Sequence, residues 1–111
     1  MNPSTDPRLR SHPMTAQTHS KDPRDIGGGT VPNRLFRAPL LEGAGLSKDP
    51  AQVYAGHFIP NAEAGCGLII QGTVCVTPEG RPSLGMSAID TQDDMLALAP
   101  MTRAVHKAGA K

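Results

Sequence analysis

Aromatic side chains are scarce in this chain: Phe36, Phe58 and Tyr54 make up 3% of it, and tryptophan is absent. Hydrophobic residues reach only 38%, so the core must be modest. Cysteine occurs twice, at Cys66 and Cys75, too few for the disulfide framework of a small secreted protein. No stretch approaches the roughly 18 consecutive apolar residues of a membrane span, which argues against an integral membrane protein. Charge of one sign is missing too: 11 basic against 10 acidic residues leave a formal net charge of +1. So even a balance makes a nucleic-acid surface a poor expectation. With 111 residues the chain has the length of one small domain, and a reducing, cytoplasmic compartment is expected for it.

Glycine (12) and proline (11) are abundant and unevenly spread. Residues 1–32 hold Pro3, Pro7, Pro13, Pro23 and Pro32 and the Gly27-Gly28-Gly29 run, with few apolar residues among them. Such a stretch buries too little to offset ordering its backbone, which costs about 1–2 kcal/mol per residue. It reads as a disordered or extended leader, distinct from residues 33–111. It lacks the apolar segment of a secretory signal, and Asp6, Asp22 and Asp25 disfavour a mitochondrial presequence.

Beyond Asn33 the texture is that of alternating strands and helices. Leu35 to Leu41 reads as a strand ending near Pro39, and Glu42-Gly43-Ala44-Gly45 as a turn. Asp49 suits an N-cap and Pro50 the first helical position. Val53/His57 and Tyr54/Phe58 then recur four residues apart on a short helix, which Gly56 and Pro60 should weaken or end. Gly67 to Ile70, resumed at Val74-Cys75-Val76, has no alternation and reads as a strand buried on both faces. Thr91 opens a second helix, with Asp94 completing an approximate capping box and Gly109 placed just past its end. Met95, Leu98, Thr102 and Val105 form its mostly apolar stripe, and Pro100 should kink or interrupt it. The order strand, helix, strand, helix implies an α/β fold with parallel strands.

Most chemical motifs fail. Gly43-Ala44-Gly45-Leu46-Ser47-Lys48 begins like a dinucleotide fingerprint, but Lys48 stands where a third glycine is needed, and the order of Ser47 and Lys48 rules out a phosphate loop. The cysteines and the histidines at 12, 19, 57 and 106 are too scattered for zinc. What remains is position. In parallel α/β folds, ligands bind beyond the C-terminal ends of strands. That edge would bring Ala38-Pro39-Leu40-Leu41 beside Gly72, where a flat ligand could approach a backbone lacking Cβ.

Three segments resemble a known family. Asn33-Arg34-Leu35-Phe36-Arg37-Ala38-Pro39-Leu40 resembles the first-strand signature of the Old Yellow Enzyme family of NADH:flavin oxidoreductases. Gly65-Cys66-Gly67-Leu68-Ile69-Ile70-Gln71-Gly72-Thr73-Val74 is similar to its second strand and turn, and Ala104-Val105-His106-Lys107-Ala108-Gly109-Ala110-Lys111 to the end of its second helix. The resemblance implies about two β/α units from the N-terminal part of an FMN-binding (β/α)8 TIM barrel. It implies hydride transfer from NAD(P)H through FMN to a small-molecule acceptor such as an activated alkene. By the same resemblance, Ala38, Pro39, Leu40 and Leu41 line the flavin ring and Gly72 contacts it. Leu41 departs from the pattern, since relatives commonly carry there a Thr or Cys that hydrogen-bonds the flavin.

A (β/α)8 barrel needs about 250 residues, so about two of its eight units fit. The family's substrate-anchoring, proton-donating and phosphate-binding residues have no counterpart here, and no residue is expected to act as catalytic acid, base, nucleophile or metal ligand. The expectation is an incomplete barrel that alone neither holds FMN nor oxidises NADH. The alternative is a non-enzymatic interaction module derived from the barrel start, self-associating through exposed strand edges.

Overall fold

The computed structural model describes residues 19–81 and 83–111; the leader expected over 1–32 lies outside the described residues up to position 18. Two helices carry the core. Helix α1 spans Pro50–Glu63. It starts where the sequence indicates: the Asp49 carboxylate accepts from the Gln52 N–H at 3.2 Å, and Pro50 occupies the first turn. Its buried stripe is Tyr54, Phe58 and Ala62, residues four apart and therefore on one face. The Tyr54 and Phe58 rings stack at 5.5 Å between centroids.

Helix α2 spans Gln92–Lys107 and begins with a complete capping box between Thr91 and Asp94. The Thr91 hydroxyl accepts from the Asp94 N–H at 3.1 Å, and the Asp94 carboxylate accepts from the Thr91 N–H at 3.1 Å and its hydroxyl at 2.7 Å. Donation by the Thr91 side chain holds the Asp94 carboxyl below the ordinary carboxylate range, whereas the hydrogen bond to Asp94 raises that of Asp90. A carboxyl with a lowered folded-state pKa stabilises the fold above its unfolded value and loses that contribution as pH falls through the folded one. Thr91→Ala removes the N-cap and is expected to cost about 1 kcal/mol at neutral pH; at a pH low enough to protonate Asp94 the loss should be smaller. Urea melts at both pH values check this.

Both helices end alike. Gly65 and Gly109 each have φ near 104°, which only glycine adopts without strain. At the end of α1 the Gly65 and Cys66 N–H groups donate to Ala62 and Asn61; at the end of α2 those of Gly109 and Ala110 donate to His106 and Val105. These are Schellman closures, which satisfy the last carbonyls.

The prolines expected to end or interrupt the helices do not. Pro60 lies within α1 and Pro100 within α2. Each removes one N–H to the carbonyl four residues back, at Gly56 and Leu96. All four residues are exposed, so water takes up the freed carbonyls.

Strands β3 (Phe36–Arg37) and β4 (Leu68–Ile69) pair in parallel, Phe36 opposite Leu68 and Arg37 opposite Ile69. The parallel α/β expectation holds, but both strands are shorter than the apolar runs suggest. Leu68 and Ile69 are half-buried and Ile70 is 41% exposed, because the helices pack against only one side. Val74–Val76 does not continue β4; Cys75 instead forms an isolated bridge with Ala88. After α2 the chain returns to β4: the Ile69 N–H donates to the Lys111 carbonyl at 2.8 Å, and the Lys111 N–H to that of Gly67 at 3.0 Å.

Within 19–32 a hairpin stands where the composition suggests a leader. Strands β1 (Arg24–Ile26) and β2 (Gly29–Val31) pair antiparallel around Gly27-Gly28. Both turn glycines have positive φ, 57° and 85°, as a two-residue turn matched to strand twist requires. Val31 is buried. The core proper joins Tyr54, Phe58, Ala62, Met101 and Val105 to Ala44 and Ala110. Of the expected α2 stripe, Val105 is buried, Leu98 packs at the core's margin and Met95 is 53% exposed. Met101 fills the core instead. Among the described residues, no helix is long and apolar enough to cross a membrane.

Candidate functional site at the strand C-termini

Residues 38–41 leave the sheet directly after β3. All four are exposed, with Leu40 at 61% and Leu41 at 57%. Among the described residues, no backbone hydrogen bond holds this segment. Gly72, three residues beyond β4, is buried and lies against it: a Cβ there would run into the Leu40 carbonyl and crowd the Glu42 carboxylate. The structure thus brings all five expected site residues, Ala38, Pro39, Leu40, Leu41 and Gly72, to one rim. The vacancy at Gly72 has a different physical reason from the one the sequence suggests. The Leu40 carbonyl fills it, so glycine here lets two strand ends meet.

Sequence reasoning missed the supports of this rim. Arg37 Nη1 donates to Glu42 Oε1 at 2.8 Å, with only 15% and 2% of the two side chains exposed. The Arg37 guanidinium also lies 5.0 Å from the centroid of the Phe58 ring, a cation–π contact that ties it to the core. Farther round, Arg81 Nη2 donates to the carbonyls of Gly45 at 3.1 Å and Leu84 at 2.7 Å, pinning the loop after β4 onto the turn after β3. A Cβ on Gly85 would lie 3.6 Å from Leu41 Cδ2, so that loop borders the rim. The Tyr54 hydroxyl and buried Ser87 share a hydrogen bond that fixes the loop's return. Opposite charges five residues apart were a readable signal for Arg37 and Glu42; Arg81 gave none, because its partners are backbone carbonyls.

A separate hollow of about 370 Å³ opens beside Gln71, lined by Ile89, Met95, Leu98 and Thr102. It does not include residues 38–41, and its polar lining is Gln71, Thr102 and Arg103.

A parallel β/α pair with an exposed apolar rim at its strand C-termini is the arrangement of neighbouring units in an α/β barrel. The NADH:flavin oxidoreductase / NADH oxidase family matches residues 22–111, and the chain belongs to it. A variant of NCR from Zymomonas mobilis superposes with a TM-score of 0.72 at 30% identity, over 85% of this chain and 30% of that one. The old yellow enzyme homologue from Zymomonas mobilis gives 0.68 at 29% identity, over 82% and 25%. Morphinone reductase in complex with tetrahydroNAD gives 0.70 at 26% identity, over 86% and 26%. The chain thus spans less than a third of the length of these relatives, and its fold is that of about two β/α units from the N-terminal part of their TIM barrel.

Proposed function

We propose that this chain supplies one wall of the FMN site of an Old Yellow Enzyme-type NAD(P)H oxidoreductase. The observation that carries the reading is the meeting of Ala38-Pro39-Leu40-Leu41 with Gly72 at the C-terminal ends of β3 and β4. The rim suits a flat heterocycle. Its side chains are apolar and exposed, and Pro39 restricts the path of the segment.

The chemistry supplied by the bound group is hydride transfer, taken from NAD(P)H and given to a small acceptor such as an activated alkene. The residues of this chain bind and orient. Leu40 and Leu41 cover apolar ring surface and exclude water, and Leu41 offers no hydrogen bond. None of the five can move a proton, so turnover is not expected from these residues.

The chain alone is not expected to hold FMN through purification; the reading predicts only weak, reversible contact with added FMN, and no oxidation of NADH. Fluorescence anisotropy of FMN titrated with the chain should rise, and Leu40→Asp with Leu41→Asp should abolish the rise, because a carboxylate cannot lie against the ring without desolvation. An anisotropy rise identical in the Asp variant would refute the reading. Loss of nicotinamide absorbance in the presence of FMN would refute the assignment of a binding role only.

One observation favours a second reading, an interaction module. Leu35 and Phe36, at and beside β3, are 48% and 60% exposed, and an apolar strand edge invites pairing. Light scattering that finds a monomer at every concentration would dispose of it.

A further inference from the structure

We propose that Arg37 and Glu42 are positioning residues, an ion pair that staples the two ends of the Ala38–Leu41 segment and sets the curve it presents to the flavin. The proposal rests on the flavin-wall reading above and adds the device that holds the wall.

The pair brackets the segment: Arg37 closes β3, and Glu42 follows Leu41. Among the described residues no backbone hydrogen bond fixes 38–41, so something else must hold its shape. The two side chains meet at 2.8 Å with Glu42 only 2% exposed. Each end is then anchored elsewhere. Arg37 lies 5.0 Å from the Phe58 centroid in the core, and the second Glu42 oxygen lies against Gly72, on the other half of the rim. A four-residue span with its ends tied to the core and to the neighbouring strand end loses most of its conformational freedom before any ligand arrives, which is preorganisation. A buried ion pair contributes little net stability compared with apolar side chains of the same volume. Its use here is geometric.

The test separates the staple from the flavin reading by measuring each alone. Without FMN, backbone order parameters at Leu40 and Leu41 should be near ~0.85 in the natural chain and fall below ~0.6 in the double variant Arg37→Met/Glu42→Met. Its melting temperature should stay close to that of the natural chain. The charge reversal Arg37→Glu/Glu42→Arg should restore part of the order, since it rebuilds the pair but not the contact with the Phe58 ring. With FMN at the concentration that half-saturates the natural chain, the Met/Met variant should lose most of the anisotropy response, a roughly tenfold weakening from the freed segment, and the reversal should regain part of it.

If the Met/Met variant does not fold, Glu42→Gln carries the same comparison, since it keeps the shape and loses the charge. Unchanged order at Leu40 and Leu41 in the variants overturns the staple, whatever FMN does. Lost order with an unchanged FMN response overturns its role toward the flavin. No FMN response in the natural chain overturns the flavin reading and with it that role, while the order parameters still decide the staple.

Discussion

Gly72→Ala should destabilise the chain by about 3 kcal/mol or more, at or beyond the upper end of overpacking costs. The added methyl would occupy the place of the Leu40 carbonyl and press on the Glu42 carboxylate. Neither is the free end of a flexible side chain, since the carbonyl is backbone and the carboxylate is bound to Arg37. Relief requires the two strand ends to part, so one substitution should both lower the urea midpoint and erase the FMN response. Gly56→Ala is the control. Nothing lies within 4 Å of a Cβ there, and alanine is the better helix former by about 1 kcal/mol, so this variant should be at least as stable as the natural chain. Equal stability of Gly72→Ala and the natural chain would mean that the strand ends do not meet as described.

Phe58→Ala should cost about 3–5 kcal/mol, a large part of the 5–15 kcal/mol that stabilises an ordinary domain. Phe58 is 2% exposed and belongs to the core cluster that joins α1 to α2. Its loss also removes the ring stacked on Tyr54 and the surface under the Arg37 guanidinium. The neighbouring Tyr54 ring is held by its hydrogen bond to Ser87 and cannot move into the space without breaking it. Thermal melts followed by circular dichroism should lose their cooperative transition or shift far downward. Leu46→Ala, at a side chain 75% exposed, should change stability by less than about 0.5 kcal/mol.

Local rules were readable wherever a short range of sequence closed its own hydrogen bonds. The Thr91–Asp94 box, Asp49 before Pro50, and Gly109 past the end of α2 all stand as their residues imply. So does the pairing of Tyr54 with Phe58. The hairpin at Gly27-Gly28 obeyed an equally local rule, but its low apolar content masked it. Proline leaves the helices intact at positions 60 and 100 because exposure of the freed carbonyl, a tertiary property, decides its cost. Strand length was overread at Gly67–Ile70, since an apolar run does not reveal that only one face is covered.

The rim itself was legible as two strand ends and a glycine; of its supports only the opposite charges of Arg37 and Glu42 gave a signal. The contact of Gly72 with Leu40 spans 32 residues of sequence and involves a carbonyl, which no side-chain pattern reports. The same holds for Arg81 with Gly45 and Leu84. Arg37 and Glu42 are close in sequence and opposite in charge, but their burial against Phe58 and Gly72 depends on contacts far along the chain.

The account stands on the flavin ring lying against Leu40, Leu41 and the neighbouring strand end. Intermolecular nuclear Overhauser effects between the ring methyl protons of FMN and assigned protein protons test this directly. Cross-peaks to the Leu40 and Leu41 methyls, the exposed side chains of the rim, are the predicted result. Cross-peaks confined to the hollow lined by Met95 and Leu98, or to the β1–β2 hairpin, would contradict it.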